Sequence, residues 1–194
     1  DHRQDVIPDL VVRELDGKYV VEVNDMGFPG LRVAESTRAL VRDKTKLSSE
    51  EKEFIAKNYN SATWMVQAVE QRRQTMLKVM NFIVDKQMAF FEKGVQSLKP
   101  LTLREVADHI EMHESTVSRV TNKKYVQTPR GVYSLKYFFS SGISTTSGEA
   151  TSSTGVKDKI KSLISNEDPL KPLTDQAIVK LLVIDGIKIA RRTV

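Results

Sequence analysis

Between Ser61 and Lys93 the chain has neither glycine nor proline, and the apolar residues Ala62, Val66, Val69, Met76, Met80, Ile83 and Phe90 recur at spacings of three, four or seven. That period marks one stripe of an α-helix. The 33 residues would make a rod of roughly 50 Å at about 1.5 Å each, far longer than the usual globular helix of about 11 or 12 residues. Two uses of such a rod stay open. Trp64, Met65, Phe82, Phe90 and Phe91 could be the core of a helical bundle, or a stiff helix could space two functional ends or dock a large partner.

The surroundings of the rod divide the chain. Ser48 followed by Glu51 is a capping-box signature, so a helix starts there, ahead of the polar interruption Asn58–Ser61. Gly94 ends the rod, and Thr102 with Glu105 forms a second capping box just after Pro100. Upstream, residues 10–23 hold two β-branched runs around Asp16-Gly17, a strong hairpin signal. Pro8, Gly27, Pro29 and Gly30 bracket it, so this piece is expected to pack as an irregular cap with helical neighbours. Downstream, Pro129-Arg130-Gly131 separates two β-prone runs within residues 125–139 that could form a wing. Residues 140–155 hold 13 Ser, Thr or Gly in 16 positions and read as a flexible linker, because structureless loops of that length are uncommon inside compact domains. Beyond it, Val156, Ile160, Leu163 and Ile164 mark one short helix and Thr174–Ile184 another.

The letters KPLT occur at Lys99 and again 72 residues later at Lys171, and each copy runs on into I-x-[MI]-x-x-x-T-V, ending at Val117 and Val194. Each reads as helix, tight turn and start of a second helix, the unit that lays a helix into the DNA major groove. In the first copy Val106, Ala107, Ile110, Met112, Val117 and Val120 are the expected inner face, and Glu111 takes the turn position where glycine is preferred. The outward side chains are then Glu114, Ser115, Thr116, Ser118 and Arg119, suited to base edges and phosphates, with Lys123, Lys124 and Arg130 placed to hold the phosphate backbone. In the second copy Val183, Ile184, Ile187, Ile189 and Val194 are the expected inner positions, with Asp185-Gly186 at the bend. A second helix is expected to begin at Ala190, Arg191, Arg192 and Thr193, whose adjacent arginines can make bidentate contacts to guanine. Some apolar patterns of this kind belong to ordinary helical bundles; repetition and local basicity weigh against that here.

Charge agrees. The chain carries +5 overall, but residues 1–50 hold 8 basic against 10 acidic side chains, whereas residues 99–138 hold 7 against 4 and residues 156–194 hold 8 against 5. The excess therefore sits on the two repeated segments. Aromatic residues at 7% point to modest helical cores. The absence of cysteine excludes disulfides and thiolate metal sites and suits a reducing cytoplasm. No apolar run approaches a membrane span, and no cofactor is expected. Because the chain begins abruptly at Asp1 and ends inside what reads as a helix at Val194, a piece of a longer protein is expected.

Three strings, HESTVSRVTNKKY (113–125), PRGVYSLKYFFSS (129–141) and ARRTV (190–194), resemble the enhancer-dependent sigma factors, the sigma-54 or RpoN family, the last matching the start of its RpoN box. IPDLVVRELDGKYVVEVND (7–25) resembles the start of that family's core-binding region. The resemblance implies a mainly α fold: a helical core-binding region with a small N-terminal β-hairpin (1–60), one very long connecting helix (61–98), a helix-turn-helix domain with room for a wing (99–139), the linker (140–155) and a separate small C-terminal helical domain (156–194). It implies core RNA polymerase and promoter DNA as partners. The unit from Leu103 to Asn122 would lie at a downstream GC element, and the Arg191-Arg192 helix would read an upstream GG element. The family's glutamine- and leucine-rich activator-responsive region has no counterpart here and the RpoN box stops at Val194. The resemblance therefore implies a chain that binds polymerase, does not answer to an activator ATPase and reads the GG element poorly. A bacterial, nucleoid-associated location follows from it.

Two other readings remain: a stand-alone dimeric regulator whose rod is a dimerisation helix, and a polymerase-interaction module whose helix-turn-helix units are scaffolding. An enzyme is not expected. His2, His109 and His113 are the only histidines, and there is no Gly-rich phosphate loop. His109 and His113 lie four apart, but a bend between them and the want of a third donor favour packing or surface roles over zinc.

Overall fold

The computed structural model describes residues 6–25, 32–43, 47–145 and 150–194; His2, Gly27, Pro29 and Gly30 lie outside them. Their elements in order are β1 (Leu10–Leu15), β2 (Lys18–Val23), α1 (Glu35–Arg42), α2 (Ser49–Lys86), α3 (Met88–Lys93), α4 (Leu103–Ile110), α5 (Glu114–Thr121), β3 (Tyr125–Thr128), β4 (Gly131–Ser134), β5 (Gly142–Ser144), β6 (Ala150–Ser152), α6 (Ser153–Ser165) and α7 (Asp175–Ile184). Short 3-10 turns occupy Val95–Ser97, Leu135–Phe138 and Arg191–Thr193. The protein is mainly helical. Among the described residues no helix is long and apolar enough to cross a membrane.

The rod is real, with different ends. Ser48 caps it in a reciprocal box, its hydroxyl accepting from the Glu51 N–H and its own N–H donating to the Glu51 carboxylate at 2.8 Å. The carboxylate oxygen held by that backbone N–H keeps the Glu51 pKa below its ordinary value. Because α2 runs unbroken through Asn58–Ser61, it spans 38 residues, roughly 57 Å at about 1.5 Å each. A run of polar side chains does not break a helix that lacks glycine and proline. The break falls at Gln87, six residues before the end of the expected span. This glutamine is fully buried, and its amide both donates to the Lys99 carbonyl and accepts from the Lys99 N–H, each at 2.8 Å. A second, longer bond from the same amide reaches the Phe138 carbonyl.

The two uses considered for the rod divide along its length. Toward its C-terminal end Met76, Val79, Met80, Phe82, Ile83 and Val84 are buried, followed by Phe90 and Phe91 on α3. Trp64 is 70% exposed and Met65 58%, so neither is a core residue. The few aromatic residues gather instead around Phe90. Its ring meets Phe138 and Tyr133 edge-on at 5.4 Å and Phe91 at 5.2 Å, the arrangement that places the positive edge of one ring on the negative face of the next.

The N-terminal hairpin turns at Asp16 (φ 52°) and Gly17 (φ 75°), the left-handed pair required by a tight two-residue hairpin. It has the expected helical neighbour, since β2 packs on α2, but it is regular sheet and not an irregular cap. β1 runs parallel to β3, pairing Leu10 with Val126, and the four strands form one sheet in the order β2-β1-β3-β4. Leu10 and Val12 face the core while alternate residues face out, which is the pattern of a strand with one covered face. Asp9 fixes the register, its carboxylate accepting from the Tyr125 N–H at 3.0 Å.

The serine-rich segment is likewise not a free linker in its described part. β5 and β6 pair antiparallel, Gly142 with Ser152 and Ser144 with Ala150. Small β-competent residues satisfy each other's backbone groups there, so the stretch folds back instead of trailing. α6 follows at once, with Ser152 as its cap.

Candidate nucleic-acid interface

α4 begins where Thr102 and Glu105 cap each other, the Thr102 N–H donating to the Glu105 carboxylate at 2.8 Å. It ends at Glu111, which adopts the left-handed conformation (φ 57°) at the cost of roughly 1–2 kcal/mol for a residue with a Cβ. That turn lets the Met112 N–H reach back to the Ala107 carbonyl at 3.0 Å and sends the chain into α5. Val106, Ala107, Val117 and Val120 are buried at the crossing, with Ile110 and Met112 half-buried, as the spacing predicts. Small Ala107 allows the close approach.

The opposite face of α5 is open. Glu114, Ser115 and Arg119 are exposed, and Thr116 and Ser118 half-exposed. Lys123 is exposed just beyond the helix. Two other expected phosphate contacts are committed elsewhere. Lys124 pairs with Asp9 at 3.8 Å, tying β3 to the N-terminal strand. Arg130 spends its guanidinium on the end of α3, donating from Nε to the Phe91 carbonyl at 2.9 Å and from Nη2 to the Glu92 carbonyl at 2.7 Å. A cation there satisfies carbonyls that have no intrahelical partner. Lys136, not singled out by spacing, is exposed and donates to the Asn122 side chain at 3.1 Å at the foot of α5. It lies inside the string SLKYFF, and only its charge could have marked it.

His109 and His113 fall on separate elements. The His109 ring lies against Phe82 with centroids 4.5 Å apart, and His113 is the residue preceding α5.

In the second unit α7 stops at Ile184, and Gly186 (φ 81°) supplies the left-handed bend at Asp185-Gly186. Of the expected inner positions, Ile187, Ile189 and Val194 are half-buried, but the two on α7 are not the ones turned inward. Ile178 and Leu182 are buried, whereas Val183 and Ile184 are exposed, Ile184 to 80%. The i, i+4 pair, not its neighbours, faces inward. Ala190, Arg191, Arg192 and Thr193 are all exposed; instead of opening an α-helix, Arg191–Thr193 form a single 3-10 turn.

A helix-turn-helix followed by a β-hairpin, with a second helix-bend unit bearing paired exposed arginines beyond it, is an architecture of the class of helical proteins that lay a helix on duplex DNA. A family model described as the sigma-54 DNA-binding domain matches residues 52–194. The chain is 44% identical over 194 residues to the RNA polymerase sigma-54 factor of Vibrio anguillarum, covering all of this chain and 39% of that protein. It is 42% identical over 189 residues to the sigma-54 factor of Escherichia coli, covering 97% of this chain and 39% of the relative. Among solved structures, Aquifex aeolicus sigmaN bound to promoter DNA superposes with a TM-score of 0.60 at 34% identity, covering 96% of this chain and 55% of the other. The chain belongs to the sigma-54 family. It spans about two fifths of the length of these relatives.

Proposed function

We propose that the chain is the polymerase-binding and promoter-reading part of a sigma factor that works, without catalysis of its own, on the bacterial nucleoid in the cytoplasm. The reading rests chiefly on the exposed outer face of α5, Glu114, Ser115 and Arg119, lying directly behind a fully packed inner face. Side chains held so rigidly and left unburied are suited to enter a groove. Relatives named as sigma factors, not operator-binding regulators, support it. In this reading α5 lies in the major groove of a downstream GC element, with Thr116 and Ser118 at its flank and Lys123 on phosphate. Ala190, Arg191, Arg192 and Thr193 serve the upstream GG element. Residues 1–60 and the free part of α2 bind core polymerase, and activator ATPases engage the full-length protein through its activator-responsive region.

The test is direct. The immobilised chain should retain purified core polymerase, and Arg119→Ala should weaken binding to duplex containing the downstream element by about 1–3 kcal/mol without altering the melting temperature. Equal loss on scrambled duplex would remove specific readout. A large fall in melting temperature would make Arg119 a packing residue.

A further inference from the structure

The serine-rich excursion leaves and returns to one place. Leu101 and Ser140 exchange backbone hydrogen bonds at 3.2 and 3.1 Å, and on the way back the Ser152 N–H donates to the Leu98 carbonyl at 3.1 Å and the Ser153 N–H to Ser141 at 3.0 Å. Both ends of the hairpin are thus knotted to Leu98–Leu101, the strip that leads into α4. From this knot α6 sets off across the 3-10 turn Val95–Ser97. Its first turn lies so near that a Cβ on Gly155 would come within 3.1 Å of the Val95 carbonyl oxygen, 3.4 Å of that of Gln96 and 3.3 Å of the Ser152 hydroxyl. Gly155 has ordinary helical φ, so its use here is close approach and not turning. Val156 beside it is only 3% exposed, and the Gln96 amide reaches Asp158 at 3.5 Å. At the middle of α6, Lys159 pairs with Asp185 at 2.8 Å, just past the end of α7.

We propose that Gly155 is a positioning residue that clamps α6 onto the backbone of Val95 and Gln96, holding the second recognition unit at a set distance and rotation from the first, so that the protein selects the spacing between two DNA elements. This rests on the promoter reading above. One inserted base pair turns the second element by roughly 35° and moves it about 3.4 Å along the duplex. A flexible tether would absorb that with little change in effective concentration. A clamped pair cannot.

The experiment uses the full-length protein in two formats. This chain contains no cysteine, so once any cysteine elsewhere in the full-length protein is replaced by serine, Arg104→Cys on α4 and Lys180→Cys on α7 allow spin labels whose separation pulsed electron resonance reads. Wild type should give one narrow distance distribution, and Gly155→Leu a broad one with helical content retained. On duplexes carrying both elements, adding or removing one base pair should weaken wild-type binding by about tenfold or more, the scale of one lost set of base contacts. In Gly155→Leu the same change should cost no more than about threefold. A broad distribution in wild type, or equal spacer penalties in wild type and variant, overturns the proposal. Should Gly155→Leu lose helical content, Gly155→Ala decides: alanine favours the helix yet crowds the Val95 carbonyl, so a reduced spacer penalty supports the clamp and an unchanged one sinks it. Wild type that binds neither duplex defeats the promoter reading and the spacing claim with it, while the spin-label distances still report whether the clamp exists.

Discussion

The two segments that open with KPLT share their letters but not their burial. In the first, Val106, Ala107, Val117 and Val120 are sealed against the C-terminal half of α2 and the aromatic cluster around Phe90. In the second, only Ile178 and Leu182 are buried, and Ile184 stands 80% exposed at the helix end. An apolar pattern specifies which face turns inward; how deep that face is buried depends on what the rest of the chain brings to it. The long helix and the sheet serve the first unit, whereas the second has α6 and a single bridge from Thr145 to Ile187.

The contrast can be broken or sharpened in order of size. Phe90→Ala should cost about 3–5 kcal/mol by urea denaturation, and Leu182→Ala about 2 kcal/mol, the low end for a site free to collapse. Equal costs would mean the second unit is as well packed as the first. Next, Arg192→Ala should lose about 1–3 kcal/mol of binding at the upstream element alone; a loss shared by the downstream element would merge the two units' roles. The bends differ as well, Glu111 at φ 57° against Gly186 at φ 81°. Glu111→Gly should therefore stabilise the first unit by about 1 kcal/mol or less, and Gly186→Ala should destabilise the second by a similar amount. Thermal melts that move the same way in both would show that strain at the bend is not what separates them. Smallest is an effect of acid on α2. Since the folded-state pKa of Glu51 is lowered, its support for the capping box is present above the unfolded value and lost as pH falls through the folded one. Amide exchange at the start of α2, relative to its intrinsic rate, should quicken only as the pH falls below the ordinary glutamate range, and show no such step in Glu51→Gln.

Local signals were legible from the letters. Both capping boxes, the Asp16-Gly17 turn, the wing and the limits of α4 and α5 depend on neighbours within a few residues, and each stands where spacing put it. Long-range partners were not. Nothing near Leu10 announces a parallel pairing with Val126, and a glutamine in the middle of an apolar stripe gives no hint that it will end the helix by binding the backbone of Lys99. Lys124 and Arg130 show the same limit within the candidate interface. Their charge suggested phosphate, but an aspartate 115 residues away and the carbonyls of α3 claimed them. The serine-rich stretch misled because composition reports what a segment lacks in apolar surface, not whether its backbone finds a partner.

Gln87 has a mechanical consequence. From Thr75, where burial on α2 becomes continuous, back to Ser49 is 26 residues, an arm of about 39 Å at about 1.5 Å per residue. With Thr75 as the pivot, the buried remainder of α2 runs on to Gln87, whose amide ties it to Lys99, just ahead of the Thr102 cap of α4. A swing of roughly ten degrees at the pivot sweeps the tip through about 7 Å on that length. Any body gripping the arm near Phe54 therefore works with leverage on the packed unit that carries α5.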